Sequence, residues 1–223
     1  MSDVEARLSA IRERIARAGR DPDEITIVAV TKGFGVEACR EAIQAGLRVL
    51  GENRVQEALG KMEQVSAGRA PGGLPAVEWH LIGHLQTNKV KPATGRFALI
   101  QTIDSLHLAQ AIASRDSGQA VLVEVNVARE PQKSGAGPDE AVELASAMSQ
   151  LLDVRGLMAM GPGHGDPTPA FEELRRLRDQ VQERIGKPLP VLSMGMSGDF
   201  EAALAAGSTM LRLGQALFGP RPT

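Results

Sequence analysis

Lys32 closes the apolar run Ile25-Thr26-Ile27-Val28-Ala29-Val30-Thr31 and is followed at once by Gly33-Phe34-Gly35. The run has the length and β-branching of a buried strand. A lysine at its end delivers an amine into the interior or to its mouth. Burial disfavours the ammonium form and lowers the pKa. A neutral amine can condense with an aldehyde. The plainer alternative is a lysine that leaves the strand and reaches water with its head. Two other segments bear on the choice. Ser193-Met194-Gly195-Met196-Ser197-Gly198-Asp199 sets a hydroxyl and free backbone N–H groups at the start of a helix-like stretch, an arrangement suited to anions. Leu213-Gly214-Gln215 lets backbone approach an anion after another apolar run. Taken singly, Ser197 could be an N-cap and Gly214 a turn. Arg212 stands two residues before Gly214, hence on the same side of its strand. A buried guanidinium without a partner is costly, so Arg212 requires one.

These residues acquire positions from the elements around them. A lead-in helix spans about 4–18, with Leu8, Ile11 and Ile15 on one face. Eight short apolar runs follow, at 25–31, 47–51, 77–82, 99–103, 121–127, 154–160, 190–196 and 209–213. Helix-like stretches lie between them at 36–45, 55–65, 106–113, 139–152, 169–185 and 199–206. Residues 88–96 form the weakest helix, because Pro92 and Gly95 interrupt it. Strand–helix alternation implies parallel pairing through crossover helices. Eight units predict an α/β chain folded as a (β/α)8 TIM barrel, a single domain over 1–223, smaller than the typical barrel of about 250 residues. An open doubly wound sheet is the alternative. The glycine-rich stretch 67–75 reads as a loop before the third strand, and 161–167 as a mouth-side loop after the sixth.

In a barrel the active site lies at the C-terminal ends of the strands, and phosphate commonly sits on the loops after strands seven and eight. Lys32, Ser197, Arg212 and Gly214 all fall at such ends. An aromatic nitrogen that must stay unprotonated suits Arg212, because arginine only donates. An aldehyde-reactive lysine, a phosphate cradle and this arginine together describe a pyridoxal 5'-phosphate (PLP) site. Competing motifs are weaker. His80 and His84 are four residues apart, but the segment reads as strand and loop rather than a zinc helix. The loop 161–165 lacks the Gly-Lys-Ser/Thr ending of a P-loop. Met158, Met160, Met194 and Met196 read as packing residues.

Several segments resemble the pyridoxal phosphate homeostasis proteins, relatives of the N-terminal barrel of alanine racemase. They include Val28-Ala29-Val30-Thr31-Lys32, Gly51-Glu52-Asn53-Arg54, Trp79-His80-Leu81-Ile82-Gly83-His84-Leu85-Gln86, Lys133-Ser134-Gly135, Ser193-Met194-Gly195-Met196-Ser197 and Leu211-Arg212-Leu213-Gly214, in family order along nearly the whole chain. The resemblance implies a fold-type III PLP barrel without a C-terminal β domain and with the cofactor aldimine on Lys32. It implies phosphate contacts from Ser197 and the backbone at Gly214-Gln215, Arg212 at the pyridine nitrogen, and Asn53 near the ring. Gln215 departs from the Thr or Ser frequent after the strand-eight glycine, which removes one hydroxyl contact. Gly33-Phe34-Gly35 and Arg54 also differ from common relatives.

Function depends on the ring nitrogen. An arginine there leaves it unprotonated and the ring a weak electron sink. The chain has no tyrosine, and in alanine racemase the second base is a tyrosine from an added domain. The expectation is a protein of PLP homeostasis that holds PLP on Lys32 and hands it to apo PLP-dependent enzymes, with little or no amino-acid turnover. An amino-acid racemase using His84 or Lys133 as second base is one alternative; a cofactor-free Schiff-base aldolase is another. Lys133 could instead assist cofactor transfer, or be a surface lysine on a loop.

A net charge of −2 leaves no field that points to nucleic acid or an acidic membrane. Arg175, Arg176 and Arg178 interleave with Glu172, Glu173 and Asp179, which makes a solvated helix face. The lone Cys39 permits no intrachain disulfide and favours a reducing compartment. With a polar N-terminus and no long apolar stretch, the reading is a cytoplasmic protein, monomeric or weakly dimeric.

Overall fold

Strands that are apolar on both faces need cover on both sides, and helices between parallel strands supply it. The computed structural model describes residues 2–67 and 75–221 and shows this arrangement closed on itself. Strands β1 (Thr26–Val30), β2 (Val49–Glu52), β3 (Glu78–Leu81), β4 (Leu99–Ile103), β5 (Ala120–Glu124), β6 (Asp153–Met158), β7 (Val191–Ser193) and β8 (Met210–Leu213) form a barrel in sequence order. All pairs are parallel, and β8 returns to β1 with Arg212 beside Val28. The open-sheet alternative is thereby set aside.

Helices α1 (Asp3–Arg17), α2 (Val36–Gln44), α3 (Val55–Ala67), α4 (Val90–Ala93), α5 (Leu106–Ala113), α6 (Pro138–Ser149), α7 (Thr168–Ile185), α8 (Phe200–Ala205) and α9 (Gln215–Phe218) surround the strands. The main core lies between strands and helices. A smaller cluster of Val28, Leu99, Leu122, Met158 and Met210 fills the barrel. Alternation along the strands carries that inward direction on to Val30 and Lys32, Gln101, Glu124 and Arg212. The lead-in helix α1 starts with a capping box: Ser2 Oγ accepts the Glu5 N–H at 3.2 Å, and Glu5 Oε2 accepts the Ser2 N–H at 2.8 Å. Its buried face is Val4, Leu8, Ile11 and Ile15.

Differences from the expected bounds have local causes. The fifth strand stops at Glu124 rather than 127, because the chain turns at Asn126, whose Nδ2 donates to Glu130 O at 2.8 Å and Lys133 O at 3.3 Å. The seventh stops at Ser193 rather than 196. Gly195 takes φ +99° there and its carbonyl accepts the Arg212 N–H at 3.0 Å. Met196 is consequently exposed rather than packed, whereas Met158 and Met194 are buried. Residues 88–96 become a 3-10 turn, Thr87–Lys89, and the one-turn α4, ended by Gly95 at φ +74°. The short helix α9 had no sequence signal. The proposed loop at 67–75 lies almost wholly outside the described residues. No helix of the described residues is long and apolar enough to cross a membrane.

Candidate functional site

Lys32 follows β1 and lines a cleft of about 380 Å³ at the barrel mouth, with Val30, Phe34, Gly214, Gln215, Gly219, Pro220 and Arg221. That lies in the range of small-molecule sites, roughly 300–1,000 Å³. The amine is half-buried. Burial lowers its pKa, the Arg221 and Arg212 cations lower it further, and Glu52 partly offsets them. The lysine therefore does not snorkel freely to water, and among the described residues no carboxylate is clamped to it.

The turn that aims Lys32 is held from below. Lys61, buried on α3, donates from Nζ to Thr31 O at 2.8 Å, Glu52 Oε1 at 2.6 Å and Glu57 Oε1 at 2.7 Å. Thr31 Oγ1 donates to the same Glu52 oxygen at 2.6 Å. Glu57 Oε1 also accepts the Gly33 N–H at 3.1 Å. Gly33 has φ +76°, the left-handed region that favours glycine. Both sides of Lys32 are thus tied to one buried charge cluster.

Arg212 lies inside the barrel, 5% exposed. Its Nη1 donates to Ser193 Oγ at 2.7 Å and its Nη2 to Ala159 O at 2.8 Å. Ser193 in turn donates to Gln101 Oε1 at 2.7 Å, and Gln101 Nε2 lies 3.0 Å from His80 Nδ1. Burial lowers the His80 pKa to about 4. The ring is then neutral at neutral pH, and its Nδ1 accepts from the amide. Burial also lowers Arg212 to about 10, with Glu124 and Asp199 opposing, so the guanidinium keeps its charge at neutral pH. The partners that Arg212 required are these two protein groups.

Ser197 and Gly214 come together as the spacing suggested. Ser197 Oγ accepts the Ala216 N–H at 3.0 Å, which joins the loop after β7 to the start of α9. The hydroxyl proton remains available to an anion. A β-carbon at Gly214 would stand 3.2 Å from Val30 O, so a side chain would crowd this edge of the cleft and glycine leaves it open. The helix after Ser197 is shorter than expected, six residues in α8, so its dipole adds little.

Asn53 is placed elsewhere on the rim. It lines a neighbouring depression with Arg54, Val55, Gln56, His84, Leu85, Gln86 and Lys89. His84 is half-exposed there, with Nδ1 3.7 Å from Asp104 Oδ2. His80 and His84 therefore diverge, one into the barrel and one to the rim. Lys133 is not a loose surface lysine: Nζ donates to Glu130 Oε1 at 3.0 Å and Gly161 O at 2.7 Å. Glu130 Oε1 also accepts the Gly163 N–H at 2.8 Å, so these residues staple the loops after β5 and β6.

Sequence reasoning overlooked Lys61, Gln101, Glu124 and Arg221. Lys61 carried a signal, a cation in the apolar stripe of Val55, Ala58 and Val65. Gln101 and Glu124 were inward by strand alternation. Arg221 had no local signal, because only the path of the chain after α9 brings it to Lys32.

Residues 6–222 match the family model described as alanine racemase, N-terminal domain. The pyridoxal phosphate homeostasis protein of Aquifex aeolicus is 42% identical over 228 residues, spanning 96% of this chain and 97% of the relative. PipY of Synechococcus elongatus, solved without PLP, superposes with a TM-score of 0.85 at 33% identity, covering 97% of this chain and all of PipY. The PLP-bound form of PipY superposes with a TM-score of 0.82 at 31% identity over 97% of this chain and all of PipY. An alanine racemase of Corynebacterium glutamicum shares the fold alone, at TM-score 0.74 and 16% identity, over 99% of this chain and 62% of that one. The chain belongs to the alanine racemase N-terminal domain family and, within it, to the pyridoxal phosphate homeostasis proteins.

Proposed function

We propose that this chain, acting as one barrel unit over 1–223, holds PLP through Lys32 and serves PLP homeostasis by storing the cofactor and passing it on. The observation that carries the reading is the single cleft shared by the half-buried Lys32, whose pKa burial and neighbouring cations lower, and the open Gly214 edge. The donors in the cleft and beside it suit the group. The Lys32 amine for an aldehyde and the Gly214-Gln215 backbone for a phosphate line the cleft. The Ser197 hydroxyl adjoins that backbone through Ala216, and Arg212 lies inside the barrel on the ring-nitrogen side of the proposal. When bound, PLP supplies an aldehyde for a Schiff base and an electron-withdrawing ring.

The side chains around the cleft limit the chemistry it can support. Burial and the neighbouring cations lower the Lys32 pKa, which favours the nucleophilic amine. Arg212 offers donors only, so a ring nitrogen against it stays unprotonated and little carbanion stabilisation results. Asn53 lies on the adjacent rim, outside the residues that line the Lys32 cleft. The cytoplasm, apo PLP-dependent enzymes as transient recipients, and a monomeric or weakly dimeric state accord with this role; no nucleic acid or membrane partner is invoked. The binding of PLP by PipY supports the cofactor assignment.

The test is PLP titration followed by borohydride, beside Lys32→Ala. Wild type is expected to give a visible absorbance band and a reduced PLP adduct on the Lys32 peptide by mass spectrometry. The variant should give neither. An adduct that persists on another lysine in Lys32→Ala, with the same affinity, would overturn the assignment.

A further inference from the structure

Three contacts fix the path of the chain after β8. Arg7 Nη1 donates to Leu217 O at 3.3 Å. The Phe218 ring packs on Phe34, with centroids 5.2 Å apart. Gly219 then turns at φ +77°, with Arg7 Nη1 2.9 Å from the position a β-carbon would take. Helix α1 thereby presses the segment onto the turn after β1. Pro220 limits the freedom of the next step, and Arg221 lies along the Lys32 cleft. Its Cδ and Nε are 3.3 and 3.6 Å from the β-carbon position of Gly33. The left-handed turn at Gly33 thus also leaves room for the arginine arm.

Two cations from opposite ends of the chain therefore face one small cleft. Their repulsion is unfavourable in itself and shows at Lys32, where Arg221 is second only to burial in opposing protonation. An anion between them reverses the sign of that interaction. A phosphate monoester carries about −1.5 to −2 charges at neutral pH, and the guanidinium fork matches phosphate oxygens with paired hydrogen bonds. The Gly214-Gln215 side of the cleft offers neutral backbone donors, and the Lys32 amine is committed to the aldehyde.

We propose that Arg221 is a phosphate-binding residue that closes the outer side of the Lys32 cleft and makes the site select phosphorylated over unphosphorylated pyridoxal. The proposal rests on the PLP reading above and adds a specificity determinant to it. Arg221 touches the phosphate end of the ligand and takes no part in bonding at the aldehyde.

The experiment compares wild type, Arg221→Gln and Arg221→Lys for binding of PLP, pyridoxal and inorganic phosphate. Aldehyde binding is read by the visible band, and phosphate binding by calorimetry. Arg221→Gln should weaken PLP about tenfold and leave pyridoxal within about twofold, so that the preference for PLP collapses. Arg221→Lys should fall between the two. An unchanged PLP-to-pyridoxal ratio in Arg221→Gln overturns the proposal, as does an equal loss for both ligands, which would mean that the arginine only orders the cleft. If wild type binds neither aldehyde, the PLP reading fails, and phosphate decides the role of Arg221: weaker phosphate binding in Arg221→Gln supports it and equal binding overturns it.

Discussion

Glu124 ends β5 inside the barrel, 3% exposed, and its Oε2 has no hydrogen-bond partner among the described residues. Burial and the nearby Asp104 charge raise its pKa, Arg212 opposes both, and the balance stands at about 7. An unfolded glutamate titrates at about 4.3, so the folded state holds the proton more tightly. Stability then falls as pH rises from about 4.3 to about 7 and stays reduced above that. Glu124→Gln removes the penalty, and urea unfolding at pH 5 and pH 8 measures it. Wild type should lose on the order of 1–3 kcal/mol more than the variant between those pH values. Equal losses would mean that water or a rearranged side chain solvates the carboxylate. Residues of this kind were only half legible in the sequence. The alternation Leu122, Glu124 points the acid inward, as Val28, Val30 points Lys32, but nothing along one strand shows whether a partner waits on another. Arg212 is the complementary case: its need for partners was legible, and their identity, Ser193 and Ala159, was not.

Helix α3 positions the mouth more than its composition suggests. Its apolar stripe admits one cation, Lys61, whose ammonium reaches β1 and β2 through Thr31 O and Glu52 Oε1. Removing one member of a buried ion pair leaves a charge without compensation, at a cost of about 3–5 kcal/mol. Glu57 is partly exposed and Glu52 can take up a proton, so the lower end applies. Lys61→Met should cost about 3 kcal/mol in urea unfolding, and adding Glu52→Gln should restore part of it. A cost below about 1 kcal/mol would show that surrounding packing, not the ion pair, holds the turn. Element order was legible because each strand–helix unit carries its own hydrophobic period. Element ends were not, where a side chain from another segment decides them. Asn126 draws the chain away from β5 by binding Glu130 O and Lys133 O. The backbone at Gly195 leaves β7 to meet Arg212. Short α9 has too few residues for a periodic signal, and Arg221 beyond it is placed by Arg7 and Phe34 from the opposite end of the chain.

At the scale of the molecule, the mouth gathers cations around one reactive amine and offers few free bases opposite it. Moving a proton off one face of an amino acid and onto the other takes two bases on opposite sides. Lys32 can be one. Among the described residues, Lys133 is held between Glu130 and Gly161 O, and Glu124 is protonated over much of the range below pH 7. His84 sits on the outer rim beside Asp104 at 3.7 Å. An arginine against the ring nitrogen, as proposed for Arg212, would leave the ring a poor acceptor of carbanion charge. These features together predict tight holding and slow chemistry. PLP-loaded protein incubated with L-alanine in heavy water should exchange the α-proton far below the range of about 1–1,000 per second usual for enzymes. The residual rate should be unchanged in His84→Ala. NMR loss of the α-proton signal measures both. A rate near 1 per second that falls in His84→Ala would make the rim histidine a working base, and D-alanine formed alongside would make the protein a racemase. A slow rate indifferent to His84 leaves holding and release of the cofactor as the work of the barrel.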